Sequence, residues 1–318
     1  MELANFYQVM PGKNCGICGY GSCNTFARYV LFRKEDLKKC VWLSSTDIPD
    51  LTDVRPARTR VEENALIQPC ITDSEMVMAE IYLAPREVDY GYLDPGFCEF
   101  LYVYPDFESV KCSQSLGIAR IEHEGKEILI SQTGKVIVRQ AKTEEDAFAC
   151  CDLVRRIVSG AVICSCLVTA LEAVSGMCTC ECGVESPSKQ EKEIYASFEQ
   201  FELSVLDAFT DTKRLLDMDI NPLKMKAVNL LANNEGGLIL YALAHHLSSI
   251  RDAAASATQQ KRIDDINFMQ EAMKGIKISK DRPIPTYLKK DSDSFSRELY
   301  KAAFHARCIQ EIKNRFFT

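Results

Sequence analysis

Hydrophobic and polar positions along this chain change their period once decisively, near residue 186. Before that point, from about residue 70, β-forming residues alternate or cluster in short runs, as strands do. Met76–Leu83 and Phe97–Tyr104 are the first two runs. Ile118–His123, Lys126–Ser131 and Lys135–Arg139 follow, separated by turns at Glu124–Gly125 and Gln132–Gly134. Thr143 then precedes Glu144, Glu145 and Asp146. An N-cap with acids in the first turn predicts a helix through Val158.

From Ser186 onward the spacing is helical. The stripe Ile194, Phe198, Phe201, Val205 and Phe209 predicts a helix from Ser186 to about Met218. Asn221 as N-cap with Pro222 at the first helical position starts a second over Leu223–Asn233. Glu235–Gly237 restarts a helix through Ala255, and Lys261–Lys274 forms another. A basic loop over 275–290 holds Pro283 and Pro285, after which Asp291 or Ser292 caps a last helix to about Phe316. Such a run of helices predicts a bundle.

The polar stretch 43–69, with Pro49, Pro56 and Pro69, reads as a linker or irregular wrap. The expected organisation is α+β and multidomain: a small module at 1–45, a linker at 46–69, an antiparallel sheet backed by a helix at 70–184, and a helical bundle at 185–318. The most apolar run, Gly160–Gly176, carries Glu172 and falls short of the ~18 uninterrupted apolar residues of a membrane span. It reads as a buried helix, and no membrane association is expected.

Composition narrows the function. In 318 residues the formal net charge is −7, which argues against general binding to a phosphate backbone. Fifteen cysteines without a visible secretory signal point to a reduced cytoplasm and to metal or redox use. No P-loop, dinucleotide fingerprint, nucleophile elbow or zinc-protease helix occurs, so no catalytic residues are assigned.

The cysteines that carry the most information are Cys15, Cys18, Cys23 and Cys40, in a C-x2-C-x4-C-x16-C frame. Gly16, Gly19, Gly21 and Ser22 let the backbone wrap closely and turn its N–H groups inward, as an iron–sulfur cluster with four thiolate ligands requires. Residues 24–32 read as a short amphipathic helix leading to a turn before Cys40. Zinc, and thiols with a purely structural role, are the other readings of this frame.

The segment from Pro11 to Trp42 resembles the small [4Fe-4S] domain of corrinoid iron–sulfur proteins, the gamma subunit of the acetyl-CoA decarbonylase/synthase complex. It is also similar to the B subunit of Rnf electron-transport complexes. The shared features are Asn14, Cys15, Gly16, Cys18, Gly19, Cys23, Phe26, Ala27 and the remote Cys40. Val41 stands where a proline usually follows the last ligand. The resemblance implies a [4Fe-4S] cofactor on the four cysteines and single-electron exchange with a partner metalloenzyme or corrinoid protein. Its setting would be the one-carbon metabolism of an anaerobe, a methanogenic archaeon or an acetogen.

Within 76–158, the stretch Ile128–Val158 resembles one half of the TATA-box-binding-protein fold, a curved antiparallel sheet with a long helix behind it. With a single half-repeat and a negative net charge, nucleic acid is not the expected partner. A scaffold for the cysteine module is the reading preferred.

A second group comprises Cys164, Cys166, Cys178, Cys180 and Cys182. Thiols at i and i+2 of an extended chain face one way, so a second metal or cluster is one reading, with Cys178, Cys180 and Cys182 as its first ligands. Free thiols, or a redox disulfide or persulfide carrier, are the others. Of the helical neighbours Cys150 and Cys151, one is expected to face inward; Cys70, Cys98, Cys112 and Cys308 read as structural singletons. His245 and His246 stand about 100° apart on a helix, which sets them aside as joint ligands of one metal. The expected function is therefore electron transfer. A maturation factor working through Cys178, Cys180 and Cys182, or a cluster-bearing regulator, are its rivals; the oligomeric state is not legible.

Overall fold

Ser22 opens the helix that begins at the third cysteine: its hydroxyl accepts from the Thr25 N–H at 3.0 Å and starts α1 (Cys23–Leu31). The computed structural model describes residues 6–7, 9–20, 22–31, 35–43, 65–70, 75–83, 92–164, 167–176, 186–197, 217–259 and 294–318. After α1, Asp36 caps a single 3-10 turn, Leu37–Lys39, that delivers Cys40. Phe6, Met10, Tyr20, Phe26, Tyr29, Val30 and Leu37 form a small core of their own, closed by Leu167 and Val168 from far along the chain.

Then come β1 (Ala65–Pro69), β2 (Val77–Tyr82), α2 (Phe97–Tyr102), β3 (Ser109–Ser113), β4 (Ile118–His123), β5 (Lys126–Ser131) and β6 (Lys135–Ala141). All pair antiparallel in the order β1-β2-β6-β5-β4-β3. The β4–β5 turn is a two-residue hairpin with Glu124 and Gly125 both at positive φ, the geometry that matches strand twist. Gln140, at φ +61, is the extra residue of a bulge opposite the Val77–Ala79 step of β2. Ala119, Ile121, Ile128, Ile130, Val136 and Val138 all face one side and are fully buried.

That side is covered by α3 (Glu144–Ile157), whose cap is the expected one: Thr143 Oγ1 accepts from the Asp146 N–H at 3.2 Å. The sheet backed by a helix is therefore as expected. α4 (Ala170–Val174) and α5 (Lys189–Ser197) lead to α6 (Asn221–Ala232), α7 (Leu238–Gln259) and α8 (Ser294–Phe316). The last three helices share one continuous core with the sheet, which runs from Ala79 through Val154 and Tyr241 to Ile312. Among the described residues no helix is long and apolar enough to cross a membrane.

Several expectations are corrected. Phe97–Tyr104 is no strand: Asp94 accepts from the Gly96 and Phe97 N–H groups, and Phe97, Phe100 and Leu101 bury at helical spacing. Aromatic residues favour strands, but i, i+3, i+4 burial against α7 prevails, with Phe100 stacked on Tyr241 at 3.8 Å. The buried helix expected over Gly160–Gly176 is instead a 3-10 turn, two isolated bridges at Val162 and Ile163, and the short α4. Thr169 and Glu172 form a full capping box there, so the helix cannot begin earlier. Ala65–Pro69, inside the expected linker, pairs with β2. Cys98 and Cys112 are joined in a disulfide rather than standing singly. Cys150 and Cys151 are both buried, because α3 lies between the sheet and α6. The rest of the linker, the stripe from Phe198 to Phe209, the Lys261–Lys274 helix and the basic loop lie outside the described residues.

Candidate metal centre

The segment Gly12–Cys23 winds through repeated left-handed turns, with Gly12, Asn14, Gly16 and Gly19 all at positive φ. Asn14, one of the few side-chain-bearing residues that tolerates this, holds the loop to the start of α1 from both ends of its own structure. Its Oδ1 accepts from the Cys23 N–H at 2.8 Å, and its own N–H donates to Cys23 Sγ at 3.4 Å. The Gly19 N–H closes a turn on Gly16 O at 2.9 Å. At Gly16 a Cβ would stand 2.4 Å from the ring of Phe304, so only glycine passes between the loop and α8.

This winding brings Cys15, Cys18, Cys23 and Cys40 into mutual electrostatic contact. None of the four is in a disulfide. Each sulfur is met by N–H groups: Ile17 and the Trp42 indole, at 3.2 Å, for Cys15; Tyr20 for Cys18; Gly12, Lys13 and Asn14 for Cys23; Trp42 and Leu43 for Cys40. Burial pushes all four thiols up, Cys40 to about 11, and the N–H groups pull them back down. Four thiols of one small module, each met by N–H groups, are a donor set that suits iron and sulfide. Lys13 and Asn14 are exposed, so the loop reaches the surface on that side.

Arg28 fastens this module to the rest of the chain. Its guanidinium, with no exposure at all, donates to Asp94 Oδ2 at 2.7 Å, Glu172 Oε2 at 3.3 Å, Leu167 O at 3.2 Å and Thr25 Oγ1 at 3.2 Å. Thr25 Oγ1 also donates to Glu172 Oε1. Burial pushes the Glu172 carboxyl up while Arg28 pulls it down. Nothing in the sequence marked this triad, because its members come from three separate segments.

Of the second cysteine group, Cys164 is half-buried at the edge of the small core and is disulfide-bonded. Cys166, Cys178, Cys180 and Cys182 lie outside the described residues.

A third constellation was set aside on helical geometry and is present. His245 and His246 of α7 and His305 of α8 each offer a ring nitrogen within 4.8 Å of the others. Adjacent helical residues do diverge, and the rings of His245 and His246 meet edge to face at 69°. The third histidine enters at the helix crossing, 5.7 and 5.1 Å from the other two ring centroids. Burial holds His246 well below the ordinary histidine range, as does its neighbour His245. Against burial, which acts upward, His245 and Lys224 keep the Glu99 carboxyl well below the usual carboxylate range.

A protein family described as "Putative Fe-S cluster" matches residues 10–42. No curated protein and no solved structure matches the chain. The matched segment holds all four cysteines of the frame, and the chain is an iron–sulfur protein with its cluster-binding module at the N-terminal side.

Proposed function

We propose that Cys15, Cys18, Cys23 and Cys40 hold a [4Fe-4S] cluster, and that the chain is a cytoplasmic carrier of single electrons to or from a partner metalloenzyme or corrinoid protein. Four disulfide-free thiols in one small module, each facing N–H donors, carry this reading. When bound, such a cluster supplies a one-electron couple. The residues of the loop do the rest. The N–H groups of Tyr20, Asn14 and Leu43 and the Trp42 indole favour the more negative charge state, whereas burial of Cys15 and Cys40 opposes it. The exposed edge at Lys13 and Asn14 gives a partner a short approach.

The outer face of the sheet supports a protein partner over a nucleic acid. Arg120 and Arg139 both pair with Glu127, at 2.6 and 3.0 Å, and Lys135 pairs with Glu80 at 2.6 Å. Basic groups already matched to carboxylates release few counterions from a phosphate backbone. The resemblance to corrinoid iron–sulfur and Rnf domains supports a place in anaerobic one-carbon metabolism.

Anaerobic purification followed by iron, acid-labile sulfide and zinc analysis and electron paramagnetic resonance tests the assignment. About four irons and four sulfides per chain are expected for a single cubane, with the signal abolished in Cys18→Ser. A colourless protein, or zinc in place of iron, would refute it.

A further inference from the structure

We propose that His245, His246 and His305 form a site for one divalent first-row transition-metal ion, separate from the four cysteines. Imidazole–zinc bonds of about 2.0–2.1 Å place three ligand nitrogens roughly 3.3 Å apart. The three nitrogens here, all within 4.8 Å of one another, need only small ring movements to reach that spacing.

The two rings on α7 are already aimed. His245 Nδ1 lies 2.9 Å from Glu99 Oε2 and donates to it, so its Nε2 lone pair is the one available to an ion. Lys224 Nζ, 2.6 Å from Glu99 Oε1, holds that carboxylate in place. His246 is oriented by Ser175. The serine hydroxyl donates to Leu171 O at 3.2 Å, so at 2.5 Å it accepts from His246 Nε2–H. This leaves His246 Nδ1 as a lone pair, which faces His305 Nδ1 at 2.8 Å. An ion entering here takes the place of that hydrogen, and His305 stays neutral by carrying its proton on Nε2 instead of Nδ1. A ligating histidine tethered through its other nitrogen to a carboxylate or hydroxyl is the usual outer arrangement of a metal site.

Three imidazoles could also be a hydrogen-bonded patch of core. The surrounding space argues otherwise. A cavity of about 240 Å³ touches all three histidines, Glu99 and Ser249, and extends to Asn14 of the cysteine loop. It supplies an entry path and room for an outside ligand in an open fourth position, as three-histidine zinc sites keep. Imidazole donors suit zinc, iron, nickel or copper, and carboxylate-preferring magnesium or calcium poorly. A small molecule bound to such an ion would sit between it and the iron–sulfur module, whose Gly16 touches Phe304, the residue before His305.

The test uses the full chain with its cluster intact, dialysed against a mild chelator and titrated with zinc alone by calorimetry. X-ray absorption at the zinc edge then reads the ligands. One equivalent of zinc in a nitrogen and oxygen shell is expected, without sulfur. Glu99→Gln should weaken binding about 10–100-fold, as loss of an outer partner does, and His245→Ala or His305→Ala should weaken it further. Iron and sulfide content should stay unchanged in all three, which keeps this result apart from that of the cluster assignment. If His305→Ala fails to fold, the half-exposed His245→Ala decides alone. Zinc uptake equal in the parent and His245→Ala proteins, no uptake at all, or a zinc shell containing sulfur would each overturn the proposal.

Discussion

The ring of Phe304 lies across Gly16 so closely that Cδ2 would stand 2.4 Å from any Cβ placed there. Gly16 is also at φ +71, where side chains other than glycine are strained. Gly16→Ala should therefore destabilise the chain by roughly 2–4 kcal/mol, from backbone strain plus overpacking. Chemical denaturation of the two proteins checks this, and Phe304→Ala in the same chain should restore only the packing share.

Arg28, itself without exposure, holds together two carboxylates of other segments that are only slightly exposed. Replacing it with Met leaves Asp94 and Glu172 facing each other without a cation. A loss of about 3–5 kcal/mol is expected, as for other broken buried ion pairs. Adding Glu172→Gln should recover part of it, and a double-mutant cycle measures how much.

Trp42 donates its indole N–H to Cys15 Sγ at 3.2 Å. Trp42→Phe keeps most of the ring and removes the donor, so the reduced state of a bound cluster loses stabilisation. A difference of about 1 kcal/mol between the two charge states corresponds to a midpoint potential lower by roughly 40 mV for one electron. Potentiometric titration of both proteins reads the shift; a higher potential in the variant would contradict the role given to this N–H.

The Cys98–Cys112 disulfide closes a loop with a separation of 14 residues and a Cα–Cα distance of 5.6 Å. Cross-links over loops of this size contribute up to about 3 kcal/mol through the unfolded chain. Cys112→Ala should lower stability by that order in air. Under a strong reductant the two proteins should converge, because the parent then has no cross-link to lose.

Asp146 accepts from Lys126 Nζ at 2.9 Å and from the Lys142 N–H at 3.0 Å, and these partners hold its carboxyl below the ordinary 3.8 despite partial burial. Its native value is thus depressed, so the charged form stabilises the fold above that ordinary range. The contribution fades as pH falls below 3.8 and through the depressed value. Asp146→Asn should be less stable than the parent near neutrality by about 1–2 kcal/mol. In acid the gap should close, and denaturation midpoints across that range follow it.

Local chemistry was legible before any coordinates. The Thr143 cap and the Glu124–Gly125 hairpin each depend on residues within a few positions of one another, and both are where the pattern put them; the cysteine frame falls inside the segment that an iron–sulfur family matches. What was illegible is long-range. His305 reaches His246 across a helix crossing, Arg28 reaches Asp94 and Glu172, and Cys98 reaches Cys112 through the packing of α2 on β3. Phe97–Leu101 shows the same cause from the other side. Strand preference in a run of aromatics is weak beside the area those side chains bury on α7.

The meeting of Gly16 with Phe304 also sets an order of events during synthesis. The cysteine loop is made 288 residues ahead of Phe304, in the helix that seats it. At about 5–20 residues per second this interval is roughly 15–60 s. Until Phe304 is made, the loop has no ring to seat against, and only the small core of its own module covers its cysteines.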